Sequence, residues 1–333
     1  MYSLTKDPAW MARAADEANQ ALAIDPGRAQ VHYSLARVYE DTGRLEEALQ
    51  HAQQAVQLSP TNDEAHRLLG LVLADKGETD NAIAELHLAI QLRPNFARHH
   101  ATLGYVLYQA ARYADAVAPY RRATELQPTS SNFQMLGTAL HKSGNVQEAI
   151  GNYKHAVELG QDPKAYSNLA FSYYSAGRFA EALANWQQAV RLDPAPPPTR
   201  FRNLGDAFMR LGQTDNARAA FSEAIARAEV LLKTNPADVD QIGVIAVCLA
   251  KLGRRDEAAL RAAEALGLKP TDNEVLYRVA VVEAFAGQVD QALAHLKDAL
   301  ARGYPRAFAR DDVDLQPLRN RPQFAPLVAQ RDE

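Results

Sequence analysis

The chain has 333 residues, 47% apolar and 23% charged, a balance that excludes intrinsic disorder. A net charge of -4 and a pI near 6.2 leave no basic surplus for nucleic acid or an anionic membrane surface. One cysteine, Cys248, excludes an intrachain disulfide and fits a reducing compartment.

No run of ~18 apolar residues is present to span a bilayer. The start, MYSLTKDPAWMARAADEANQ, lacks the basic and apolar regions of a secretory signal. The expected location is therefore the cytoplasm.

The first predicted element is a lone amphipathic helix from Ala9 to Ala23, with alanines at 14 and 21 on one face. After Pro26 a two-helix unit begins and recurs. Its first helix, helix A, carries a leucine followed by a small residue: Leu35-Ala36, Leu69-Gly70, Leu103-Gly104, Leu136-Gly137, Leu169-Ala170, Leu204-Gly205, Ile245-Ala246 and Val279-Ala280. The large residue lies on the apolar stripe, and the small one lets a neighbouring helix approach closely. A glycine then ends helix A, at 43, 77, 144, 177, 212, 253 and 287, with Ala111 in the one remaining place. Helix B follows with two alanines two turns apart, from 48/55 to 292/299. Pro26, Pro60, Pro94 and Pro128 stop the first units at a spacing of 34, and later prolines continue less regularly.

Several segments depart from this rhythm. Pro119 falls early in a helix B and is expected to bend it mildly. The stretch DPAPPPTRF (193 to 201) adds only one residue to the spacing, so it predicts a stiff turn rather than a domain boundary. Near Ser222 to Pro236 a unit is seven residues longer than its counterparts, which predicts a long helix B over 217–235. From Ala301 the repeat is lost, and Leu315, Leu318, Phe324, Leu327 and Val328 among prolines and charges predict short helices folded on the last unit as a cap.

This pattern resembles the tetratricopeptide repeat, over about residues 9 to 300. The resemblance implies an all-α, right-handed superhelical solenoid, one domain over 1–333. A partial repeat at 1–26 would come first, then about eight helix-turn-helix units over 27–300, then a C-terminal cap at 301–333. The chain is also similar, more loosely, to the C-terminal repeat regions of bacterial signalling proteins in which a Ser/Thr kinase precedes the repeats. The start lacks a polar capping helix, which suggests either a longer protein or a covered end.

Chemistry is sparse. No metalloprotease, hydrolase, P-loop or dinucleotide motif is present, and Cys248 on an apolar helix A reads as a buried thiol. We therefore expect no enzyme, cofactor or metal. His32, His66 and His100 occupy one repeat position, where the family carries a large residue packing helix A on helix B. Equivalent helices stand ~10 Å apart, too far for these three to share a metal ion.

Such a stack lines its concave face with helix A, and the family's groove binds peptides or partner domains. The candidate groove residues are Tyr105, Tyr108, Gln134, His141, Asn168, Phe171, Tyr174, Arg202, Asn203 and Arg210. Arg37, Arg67 and Asp206 fall on the same face. Asn168 and Asn203 precede the repeat leucine and resemble the asparagine ladder of O-GlcNAc transferase repeats, where the amide grips a peptide backbone. The lysine-asparagine spacing of the chaperone carboxylate clamp is missing. The expected function is a protein-interaction scaffold with a protein or peptide partner in the groove and no nucleic acid or membrane. The alternatives are a regulatory or sensor portion of a larger signalling protein, or an array that self-associates through its first helix.

Overall fold

A computed structural model describes residues 8–329. The first residues of the partial repeat and the final residues of the tail, 1–7 and 330–333, lie outside the described part. Every element in it is helical. The chain divides into two compact units, one ending at Ala176 and one beginning at Gly177.

In unit 1, α1 (Pro8–Ile24) precedes four pairs. These are α2 (Ala29–Asp41) with α3 (Leu45–Leu58), α4 (Asp63–Asp75) with α5 (Thr79–Leu92), α6 (Ala97–Gln109) with α7 (Tyr113–Leu126), and α8 (Ser130–Lys142) with α9 (Val146–Leu159). A further helix A, α10 (Pro163–Ser175), closes the unit. Unit 2 starts with α11 (Phe179–Leu192) and continues with three pairs. These are α12 (Pro198–Arg210) with α13 (Thr214–Leu232), α14 (Val239–Lys251) with α15 (Arg255–Leu268), and α16 (Asn273–Ala286) with α17 (Val289–Ala301). The tail forms α18 (Arg306–Asp311), a 3-10 turn (Val313–Leu318) and α19 (Phe324–Ala329).

The A-to-B turn is built the same way each time. A residue just past the end of helix A adopts a left-handed backbone, as at Gly43 (φ 74°) and Gly144 (φ 88°), and Ala111 does so too at φ 58°. That conformation is costly for alanine, yet the next amide still closes the turn: Arg112 N donates to Leu107 O at 2.9 Å, just as Arg44 N donates to Tyr39 O at 2.8 Å.

Helices A and B pack through the small residue. A Cβ added to Gly104 would stand 2.7 Å from the Tyr120 ring, so the glycine admits the large helix-B side chain. Alanines 48, 82, 116 and 149 are fully buried at the same seam.

One boundary differs from expectation, and one proline finds its place. The long helix is α13 at Thr214–Leu232, with 19 residues against 14 in α15, and 233–235 turn out of it. Pro119 stands in the second turn of α7, which runs through it unbroken to Leu126.

Candidate functional site

The three repeated histidines do one structural job. Their Nε2 atoms bond the carbonyls of Pro26, Pro60 and Pro94, at 3.0, 2.9 and 2.8 Å. Each imidazole thus binds the proline carbonyl six residues upstream, at the exit of the preceding helix B. The other nitrogen reaches helix B of its own unit where it can: His32 Nδ1 lies 2.9 Å from His51 Nδ1, and His66 Nδ1 lies 2.6 Å from Glu85. Position 119, the equivalent in the third unit, is proline. One histidine outside this series, next to His100, has a separate role. His99 is fully buried, with Nε2 2.7 Å from Asp63. Asp63, Glu64 and His99 bring ligand-type atoms within 4.8 Å of one another. Arginines already pair with both carboxylates, Arg93 with Asp63 at 3.2 Å and Arg67 with Glu64 at 2.7 Å.

The helix-A face of unit 1 is partly open. Tyr105 on α6 and Phe171 on α10 occupy one repeat position, two residues after the repeat leucine, and are 43% and 45% exposed. Gln109 donates to the Tyr105 hydroxyl at 2.9 Å. Tyr108 is half-buried against Tyr113, ring centroids 5.1 Å apart. On α8, Gln134 donates to Asp162 at 3.0 Å. His141 bonds Ser172 through Nδ1 at 2.9 Å, and its ring tilts on Phe171 at 5.1 Å. Burial lowers the His141 pKa to about 4, with Lys142 adding to it, so the ring is neutral at pH 7. His141 and Phe171 therefore meet, with Ser172 behind them. Asn168 and Tyr174 are half-buried on α10.

On unit 2 the face is different. Arg210 is exposed and stacks on Phe179 at 4.8 Å. Asn203 accepts from Arg202 Nη2 at 3.2 Å, so its amide oxygen is engaged inside the chain. Arg202, Asp206 and Lys251 lie under the tail. Lys251 bonds Asp206 on α12 and Asp314 of the 3-10 turn, the latter at 2.6 Å. Burial works against the lysine's charge, but the two carboxylates outweigh it and hold its pKa above the ordinary value. Burial also raises Asp206, with Asp314 adding, against Lys251 and Arg202. Cys248, fully buried beneath, has its thiol pushed up to about 12 by burial. The tail was expected only on the last unit. It reaches back to α14, because Lys251 and the apolar face of α14 and α16 give its aspartates and leucines partners.

No helix among the described residues is long and apolar enough to cross a membrane. Profiles described as tetratricopeptide repeat match residues 17–50, 67–131, 163–196 and 202–273, and one described as TPR repeat matches 37–77. A chloroplastic protein of Arabidopsis thaliana is 39% identical over 87 residues, 25% of this chain and 26% of that protein. The chain thus spans about a quarter of that relative's length. The structure is similar to the APC/C hetero-tetramer Cut9-Hcn1, with a TM-score of 0.56 at 17% identity, over 87% of this chain and 52% of that one. It is also similar to pilF of Pseudomonas aeruginosa, with a TM-score of 0.51 at 19% identity, over 67% of this chain and 94% of that one. At these identities the likeness is one of fold, an all-α solenoid of consecutive helix pairs. Together these profiles match well over half of the chain, between residues 17 and 273, and the chain belongs to the tetratricopeptide repeat family.

Proposed function

We propose that this chain is a protein-interaction scaffold and that the helix-A face of unit 1 binds an extended segment of a partner. The observation that carries this reading is the exposure of two aromatic rings, Tyr105 and Phe171, at one repeat position. Aromatic rings offer large contact area at low entropy cost. The His141 ring leans on Phe171 and Gln109 holds the Tyr105 hydroxyl, yet 43% and 45% of the two residues stay open to a partner. Successive helices A stand ~10 Å apart, so rings two repeats apart match the reach of about six extended residues. Gln134, Asn168 and His141 supply polar contacts between and beside them, suited to a peptide backbone. The Cut9-Hcn1 neighbour is itself a hetero-tetramer, which supports a scaffold reading for this fold.

A peptide-display library panned on the full chain tests this reading. Selected peptides are expected to carry aromatic or large apolar residues and to lose about tenfold or more in affinity with Tyr105→Ser and Phe171→Ser combined. Circular dichroism and a thermal melt check that the double variant is folded. Selected peptides that bind both proteins equally sink the assignment.

A further inference from the structure

The tail of unit 2 does more than end the chain. Residues 312–318 cross the helix-A face of their own unit. Asp312 receives the Tyr277 hydroxyl on one oxygen and the Asp314 amide on the other, the latter at 2.8 Å. Asp314 meets Lys251. Leu315 and Leu318 are fully buried, in one apolar cluster with Val247 and Val281. Arg319 ties the segment together by donating to the carbonyls of Arg310 and Asp312, both at 3.2 Å. This is how a peptide sits in a site: two carboxylates on donors, then a leucine in an apolar seat.

Without the tail, the face carries two cations, Arg202 and Lys251, against one carboxylate, Asp206, with the Tyr277 hydroxyl beside them. That surplus of buried positive charge calls for an acidic ligand. The tail meets the need incompletely. Arg202 Nε is buried with no acceptor, and one more carboxylate or carbonyl would satisfy it. The fastening is also exchangeable in character. It is made of short elements and buried ion pairs rather than a long apolar helix, and buried ion pairs add little net stability over apolar contacts.

We propose that the helix-A face of unit 2 is a binding site for an acidic, leucine-bearing segment of the form Asp-x-Asp-Leu, filled in cis by Asp312–Leu315. A partner segment of the same chemistry takes the site by displacing the tail. A tethered ligand acts at an effective concentration near the millimolar range, so it masks the site against weaker free peptides. The site is built from unit 2 residues alone, and the substitutions at Tyr105 and Phe171 touch none of them, so the two readings stand or fall apart.

The test uses the full chain and a fluorescent synthetic peptide spanning Arg310 to Arg319. Asp312→Asn with Asp314→Asn loosens the tail's hold while leaving Lys251, Arg202 and Tyr277 intact. This double variant is expected to bind the peptide at least about tenfold tighter than the unmodified chain. The same peptide with both aspartates replaced by asparagine is expected to bind about tenfold more weakly, and Lys251→Met added to the double variant should remove binding. Equal binding of the two peptides by a folded double variant overturns the proposal. If the variant does not fold, hydrogen exchange on the unmodified chain decides. Millimolar peptide should expose the amides of 312–318 while α14 and α16 stay protected, and unchanged tail protection overturns the proposal.

Discussion

The two units place the same repeat position in opposite environments. Two residues after the repeat leucine, unit 1 carries Arg37, Leu71, Tyr105, Thr138 and Phe171, and three of these are exposed. In unit 2 that position is Asp206, Val247 and Val281, and the two valines are 4% and 2% exposed. The backbone is the same helix A in both. What differs is the cover, since only in unit 2 does a tail fold over the helix-A side. A repeat position in this fold is therefore core or surface according to what lies across it, and residue type follows the cover rather than the repeat.

The largest expected effect breaks that contrast directly. Val281→Asp puts an unpaired carboxylate into the apolar seat under the tail and should cost about 4–5 kcal/mol. Tyr105→Asp, at the equivalent position of unit 1, faces solvent and should change stability by less than about 0.5 kcal/mol. Urea melts of the two variants check the pair, and similar losses would show that the faces are not differently covered.

Next in size is Lys251→Met. The lysine is the shared partner of Asp206 and Asp314, and its removal leaves two carboxylates facing each other in a buried site. The expected loss is about 3 kcal/mol at pH 8. Without the cation both carboxyls favour protonation, so stability returns as the pH falls and these groups take up protons. A loss that does not shrink between pH 8 and pH 5 would mean that the lysine acts through packing of its stem alone.

Much of this architecture is legible in the amino-acid order, because its determinants are local. The left-handed turn after each helix A is written as a glycine, and even the exception holds, with Ala111 taking the same turn. The shared role of His32, His66 and His100 follows from their period. The return of the tail is not legible in that way. Asp314 and Lys251 are far apart in sequence, and no spacing rule joins them. A signal is nevertheless present. In VDQIGVIAVCLAK, ten of the thirteen residues of α14 are buried, and a helix apolar all round must be covered on both sides. The partner of His99 is hidden for a related reason, since a polar residue at a core position is understood only with Asp63 in view. The groove residues are a mixed case: Tyr105 and Phe171 are open, whereas Asn203 is engaged by Arg202.

The smallest effect compares two carboxylates withdrawn from solvent, one on each helix-A face. Asp206 in unit 2 has Lys251 as a direct partner. Glu40, near the end of α2 in unit 1, has none so close. Burial, with Asp75 and Asp41 adding, raises its pKa from the ordinary 4.5 to about 7, although Arg37 and Arg67 pull the other way. The folded chain therefore keeps a proton there that the unfolded chain has released between pH 4.5 and 7. Stability falls as the pH rises through that window, and the full cost is present above it. Glutamine cannot ionise, so Glu40→Gln should be more stable than the unmodified chain at pH 8. The gain should be on the order of 1 kcal/mol, less than the shift alone implies because the carboxylate is partly solvated. At pH 4 the gain should vanish. Urea melts at both pH values read the difference. An equal effect at pH 4 and pH 8 would assign the gain to hydrogen bonding or packing instead of charge. A loss at pH 8 would mean that Arg37 and Arg67 compensate Glu40 as fully as Lys251 compensates Asp206, and the electrostatic contrast between the two faces would disappear.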